Sequence, residues 1–143
     1  MVEKYSPFVY EVIEMVAKAA TKKGKIEALQ KYDSLALKNL LKGTYDDAIV
    51  WLLPDSNPPY TPAEEQSIPS NFYKQYDQLK YFVKGGPGER LNSLKRETMF
   101  IRMIESIHPK DAELVLQMVA KQPLAKGLTK ALVKEVYPNL ISK

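Results

Sequence analysis

Trp51 to Phe72 reads WLLPDSNPPYTPAEEQSIPSNF, and it places five of the chain's ten prolines between Pro54 and Pro69. Proline removes a backbone donor and fixes φ, so no helix crosses this stretch and the chain stiffens toward extended polyproline geometry. Aromatic and branched residues sit in or beside it: Trp51, Tyr60, Ile68 and Phe72. Such anchors predict an ordered strap lying on helices, because proline lowers the entropy lost when the segment docks. The acidic, proline-rich middle is also the composition of a peptide that docks on a partner.

Helical patterns lie on both sides. Upstream, Ser6-Pro7 opens a helix whose stripe is Phe8, Val9, Val12, Ile13, Val16, Ala17 and Ala20. Thr21 caps a second helix with Ile26 and Leu29 turned inward, weakened by Gly24. Ser34 starts a third through Leu35, Leu37, Leu40 and Leu41, and Gly43 stands where a C-terminal stop belongs. Thr44, with Asp46 and Asp47 behind it, then reads as the start of a short helix buried on all sides from Ala48 to Leu53 and ended by Pro54. A strand here is disfavoured because no second strand is available to pair with it.

Downstream, Ser70 caps a helix carrying Phe72, Tyr76, Leu79 and Val83, which Gly85-Gly86-Pro87-Gly88 ends. Asn92 or Ser93 opens a longer helix buried through Leu94, Phe100, Ile101, Ile104 and Ile107. His108-Pro109 marks a fresh helix with inner face Ala112, Val115, Leu116 and Val119. A last short helix follows Thr129 and stops before Pro138. Met15, Met99, Met103 and Met118 read as core fillers. The expected fold is all-α: six to seven short helices in two packed lobes, residues 1–53 and 70–143, joined by the strap at 54–69 into one compact domain.

The chain of 143 residues carries no cysteine, which excludes disulfides, thiolate nucleophiles and Cys-ligated zinc. Glu11 and Glu14 interrupt any signal-peptide core, and no apolar run approaches the roughly 20 residues of a membrane span. A soluble, cytoplasmic protein without a membrane segment is expected. The net charge of +4 is uneven: residues 70–143 hold 13 basic and 7 acidic groups, against 8 and 7 in residues 1–53. That excess can attract an anionic partner, although lysines on helical surfaces also confer solubility.

Candidate chemistry is sparse. His108, the lone histidine, lies near Asp111 and Glu113, which would suit a small enzyme centred on it; His-Pro before acidic residues equally describes a plain helix start. Asp46-Asp47 and Glu64-Glu65 are adjacent pairs that point apart on a helix, so no metal site is expected. Gly85 to Arg90 lacks the strand and lysine of a phosphate loop and reads as a turn. The basic stretch with interleaved tyrosines offers Lys74, Lys80, Lys84, Arg90, Lys95, Arg96 and Arg102 as phosphate-binding candidates.

Three blocks, IVWLLPDSNPPY (49–60), LKRETMFIRMIESIHPKDAELVL (94–116) and KGLTKALVKEVYPNL (126–140), resemble an uncharacterised family of small proteins from T4-like tailed bacteriophages, including phages of marine bacteria. The resemblance runs from Lys31 to Leu140, with residues 1–23 outside it, and implies action in the cytoplasm of an infected bacterium. It carries over no catalytic or binding residues. The resulting expectation is a non-enzymatic accessory protein, needing no cofactor, that binds host or phage proteins through Trp51, Tyr60 and Tyr73, with self-association compatible with the same surfaces. A nucleic-acid-binding module using the basic C-terminal half is the alternative.

Overall fold

A computed structural model describes residues 7–53 and 58–141. Ser6 and Pro54, expected as a cap and a stop, lie outside the described residues. The elements are α1 (Val9–Lys18), α2 (Lys22–Lys31), α3 (Leu35–Tyr45), α4 (Phe72–Gln75), two 3-10 helices (Tyr76–Phe82 and Pro87–Arg90), α5 (Ser93–Glu105), α6 (Pro109–Val119) and α7 (Lys130–Val136). The fold is all-α, with no strand or sheet among the described residues.

Local chemistry explains most of the starts. Thr21 accepts from Gly24 N–H, Ser34 from Leu37 N–H, Asn92 from Lys95 N–H and Thr129 from Leu132 N–H, each satisfying an amide with no intrahelical partner. Asn71, not Ser70, caps α4 by accepting from Lys74 N–H. The expected helix over 72–83 is only one α turn before it tightens into the 3-10 helix Tyr76–Phe82, which still buries Leu79 and Phe82.

The core draws on both ends of the chain. Val12 and Val16 of α1, Leu37, Leu40 and Leu41 of α3, Phe72, Phe82, Phe100, Met103, Ile104 and Met118 belong to one buried cluster. Helix α3 packs on α6 and α7, α1 on α2 and α6, and α5 on α6. Leu35 and Leu94, expected inside, are 61% and 75% exposed. Each precedes the buried stripe of its helix and falls on the opposite side: Ala36, Leu37, Leu40 and Leu41 define the inner face of α3, and Phe100, Met103 and Ile104 that of α5. Ala17 and Ala20 likewise face solvent.

The larger correction concerns Thr44 to Leu53. Helix α3 runs through Gly43 and Thr44 to Tyr45, and residues 46–53 form no helix. Asp46 leaves helical geometry at φ −91°, ψ 112°, and its carboxylate accepts from Ala48 N–H at 2.9 Å, a local turn that diverts the chain. The segment then extends, and Trp51 forms an antiparallel bridge with Val83. Leu52 N–H donates to Phe82 O at 2.7 Å and Lys84 N–H to Val50 O at 2.9 Å. The partner judged missing is therefore the exit of the 3-10 helix. Nor is the run buried all round, since Ala48 and Val50 are exposed.

Residues 58–69 of the strap are non-helical apart from a turn in which Ser67 N–H donates to Glu64 O at 2.9 Å. Tyr60 packs half-buried on the core. Thr61 N–H donates to Glu105 Oε2, and Ser70 N–H to Ser106 O, both at 2.8 Å. The strap is thus pinned across the junction of α5 and α6.

Gly43 is no helix stop. A Cβ there would lie 2.6 Å from both Met118 Sδ and Trp51 Cζ2, so hydrogen alone allows α6 and the indole to close on α3. Gly43→Ala should destabilise the protein by about 1–3 kcal/mol through overpacking, despite alanine's helix preference of about 1 kcal/mol. Urea titration monitored by Trp51 emission measures this; an unchanged midpoint would mean the contact is loose.

Candidate functional site

The C-terminal end of α3 presents carbonyls with no partner inside the helix. Gly43 O accepts from Trp51 Nε1 at 3.1 Å and from Lys121 Nζ at 2.8 Å, and Lys121 also donates to Asp46 O at 2.8 Å. Lys121 reaches them from a left-handed backbone position, φ 58°, uncommon outside glycine. Partial burial pushes its ammonium pKa down, while Asp46 and Asp47 oppose the shift. Lys42 donates to Leu140 O at 2.8 Å and pairs with buried Asp46 at 3.3 Å.

Trp51 is thereby held at the floor of a groove of about 300 Å³ between α3 and the bridge. Ile49, Leu79 and Val83 form apolar walls, and Lys80 and Lys84 stand at the rim on the exposed side. Lys80 is 3.4 Å from Asp77 and lies over the Tyr81 ring at 5.5 Å. The arrangement can take up one bulky apolar group beside positive charge.

The other expected anchors point inward. Tyr73 OH donates to Pro7 O at 2.6 Å, and Tyr60 is half-buried with its hydroxyl pKa raised by burial and then by Glu113. Of the basic candidates, Lys74, Lys80, Lys84, Arg90, Lys95 and Arg102 are exposed. Arg96 is consumed internally: Nε donates to Leu52 O at 3.1 Å, and Nη1 to Leu91 O at 2.7 Å and Gly88 O at 3.3 Å. Sequence reasoning missed Lys42 and Lys121 as structural cations, because an ammonium bound to a carbonyl 98 or 75 residues away leaves no local pattern, and it missed Lys25, which donates to Val16 O and Ala19 O across the link between α1 and α2.

His108 caps α6, accepting at Nδ1 from Lys110 N–H at 3.0 Å, so the proton of the neutral ring sits on Nε2, 3.9 Å from Glu65. Its ring packs against the stacked rings of Phe8 and Tyr10, with centroids at 4.8 and 4.5 Å. Buried Asp111 accepts from Tyr10 N–H at 2.8 Å, leaving Oδ2 without a hydrogen bond. This pair secures α1 to α6 and the strap. No group of three His, Asp or Glu placed to hold a metal occurs among the described residues, and no described helix is long and apolar enough to cross a membrane.

These features define a small all-α protein with one tryptophan-floored groove and no metal cluster among the described residues. Residues 12–125 match the profile of a family of unknown function (DUF6433), and the chain belongs to that family. The match begins inside α1, upstream of the resemblance to the phage proteins, and ends before α7. No curated protein matches the chain.

Burial, reinforced by Glu11, raises the Asp111 pKa to about 7. The native state therefore holds this proton more tightly than the unfolded chain, whose aspartate has the ordinary value of 3.8. Stability should fall as pH rises between those values and level off above the upper one, a loss on the order of a few kcal/mol. Asp111→Asn should flatten that slope and raise the unfolding midpoint at pH 8; denaturant titrations at pH 5, 6.5 and 8 would reveal it.

Proposed function

We propose that this is a phage-encoded, non-enzymatic accessory protein that acts in the cytoplasm of an infected bacterium by binding another protein through the Trp51 groove. The phage assignment rests on the resemblance of its three sequence blocks. The groove carries the binding reading: a half-buried tryptophan beside Leu79 and Val83, with Lys80 and Lys84 exposed at the lip, offers an apolar seat next to positive charge. The complementary partner segment holds a bulky apolar side chain flanked by carboxylates.

A second reading has one observation in its favour. The 3-10 helices Tyr76–Phe82 and Pro87–Arg90 pack together, and α5 packs on the first, so Lys80, Arg90, Lys95 and Arg102 belong to neighbouring elements, with Lys84 in the link between the two 3-10 helices. That grouping would suit a phosphate backbone.

Trp51 is the chain's single tryptophan, so its emission reports the groove without engineering. Titration with synthetic dodecapeptides alternating leucine or valine with aspartate or glutamate should blue-shift that emission. Combined Lys80→Glu and Lys84→Glu should weaken binding roughly tenfold while leaving the unfolding midpoint unchanged. A thymidine dodecanucleotide serves as the competing probe. Absence of any peptide response, or oligonucleotide binding that is tighter and falls steeply with salt, would reject the protein-binding reading.

A further inference from the structure

Resting on the groove reading above, we propose that the partner segment binds as an added β-strand, hydrogen-bonding along the open edge at Trp51 while one of its side chains enters the groove. The bonds Leu52 N–H to Phe82 O and Lys84 N–H to Val50 O flank the Trp51–Val83 pair. In an antiparallel ladder, a pair flanked in this way directs its own N–H and C=O groups outward, away from the other strand. The Trp51 amide and carbonyl accordingly have no hydrogen-bond partner among the described residues. Buried backbone donors are almost never left unpaired, so a vacant pair of this kind belongs on a solvated edge.

The opposite side of the bridge is closed. Val83 O accepts from Gly86 N–H at 3.0 Å as the chain turns away at Gly85, whose φ is 85°. Only the Trp51 side offers a free donor and acceptor on one residue, which is the unit that an extended peptide pairs with.

Register follows from side-chain alternation. Residues opposite each other on paired strands share a face, and successive residues alternate. The peptide residue opposite Trp51 would exchange both main-chain bonds with it and point its side chain to the indole's face, toward the groove. The residues on either side would lie with Val50, 47% exposed, and Leu52 on the other face. Lys84, which stands opposite Val50 in this register, shares that other face and selects carboxylates on either side of the seated residue. The occupant is thus an extended segment with an apolar residue bracketed by acidic ones, not a preformed helix.

The test is an N-methyl scan of an acidic-apolar dodecapeptide of the series above, read by Trp51 emission and by amide exchange of Trp51. Methylating the nitrogen that faces Trp51 O should weaken binding about tenfold, and methylating either neighbour, whose N–H points outward, by less than about threefold. Binding should also slow exchange of the Trp51 amide. A peptide that shifts the emission but shows a flat methyl scan and unaltered exchange would overturn strand addition and leave the groove reading intact. No emission response to any peptide would remove the groove reading itself. Slow Trp51 exchange that depends on protein concentration without peptide would assign the edge to a second copy of this chain and refute the proposal.

Discussion

One carbonyl holds the centre of this molecule together. Gly43 O, at the negative end of α3, receives the indole N–H of Trp51 and the ammonium of Lys121, while the glycine's missing side chain lets Trp51 and Met118 close over it. The end of α3, the loop after α6 and the extended segment after Asp46 thus meet at one residue. Because the indole is fixed there, Trp51 also fixes the position of the groove and the direction in which its main chain faces.

The same principle recurs and changes how the charge of the protein is understood. Lys25 donates to Val16 O and Ala19 O at the end of α1, Lys42 to Leu140 O, Lys121 to Gly43 O and Asp46 O at the end of α3, and Arg96 to the carbonyls of Leu52, Gly88 and Leu91. Short helices end often, and each end leaves acceptors that cations satisfy favourably. Part of the basic excess is therefore internal structure. The positive charge open to a partner is smaller than the count of lysines and arginines implies, and part of it stands at the rim of the groove.

The strap is held differently. Its prolines limit the entropy lost on ordering, and its hold comes from Tyr60, the hydrogen bonds donated by the Thr61 amide and, just past its end, the Ser70 amide, and the approach of Glu65 to His108. Beneath it, Asp111 keeps α1 in place through a single backbone amide, in surroundings that favour its protonated form. His108 and Asp111, close in sequence and chemically suggestive, are occupied there with capping and docking.

Local signals in the chain settled the all-α class, the starts at Thr21, Ser34 and Thr129, the break at His108-Pro109 and the exclusion of helix from the proline segment, and they narrowed the start of α5 to Asn92 or Ser93. Each depends on neighbours a few residues apart, and periodicity and capping chemistry act over that range. Thr44 to Leu53 could not be read this way. Its extension depends on Val83, more than 30 residues downstream, and its helix-like apolar run concealed a bridge. Gly43 likewise carried a stop signal that Met118 and Trp51 turned into a requirement for close approach. Tertiary structure decided the groove, the open edge and the roles of the cations, because a carbonyl is satisfied by whichever donor the folded chain brings within about 3 Å, however distant in sequence.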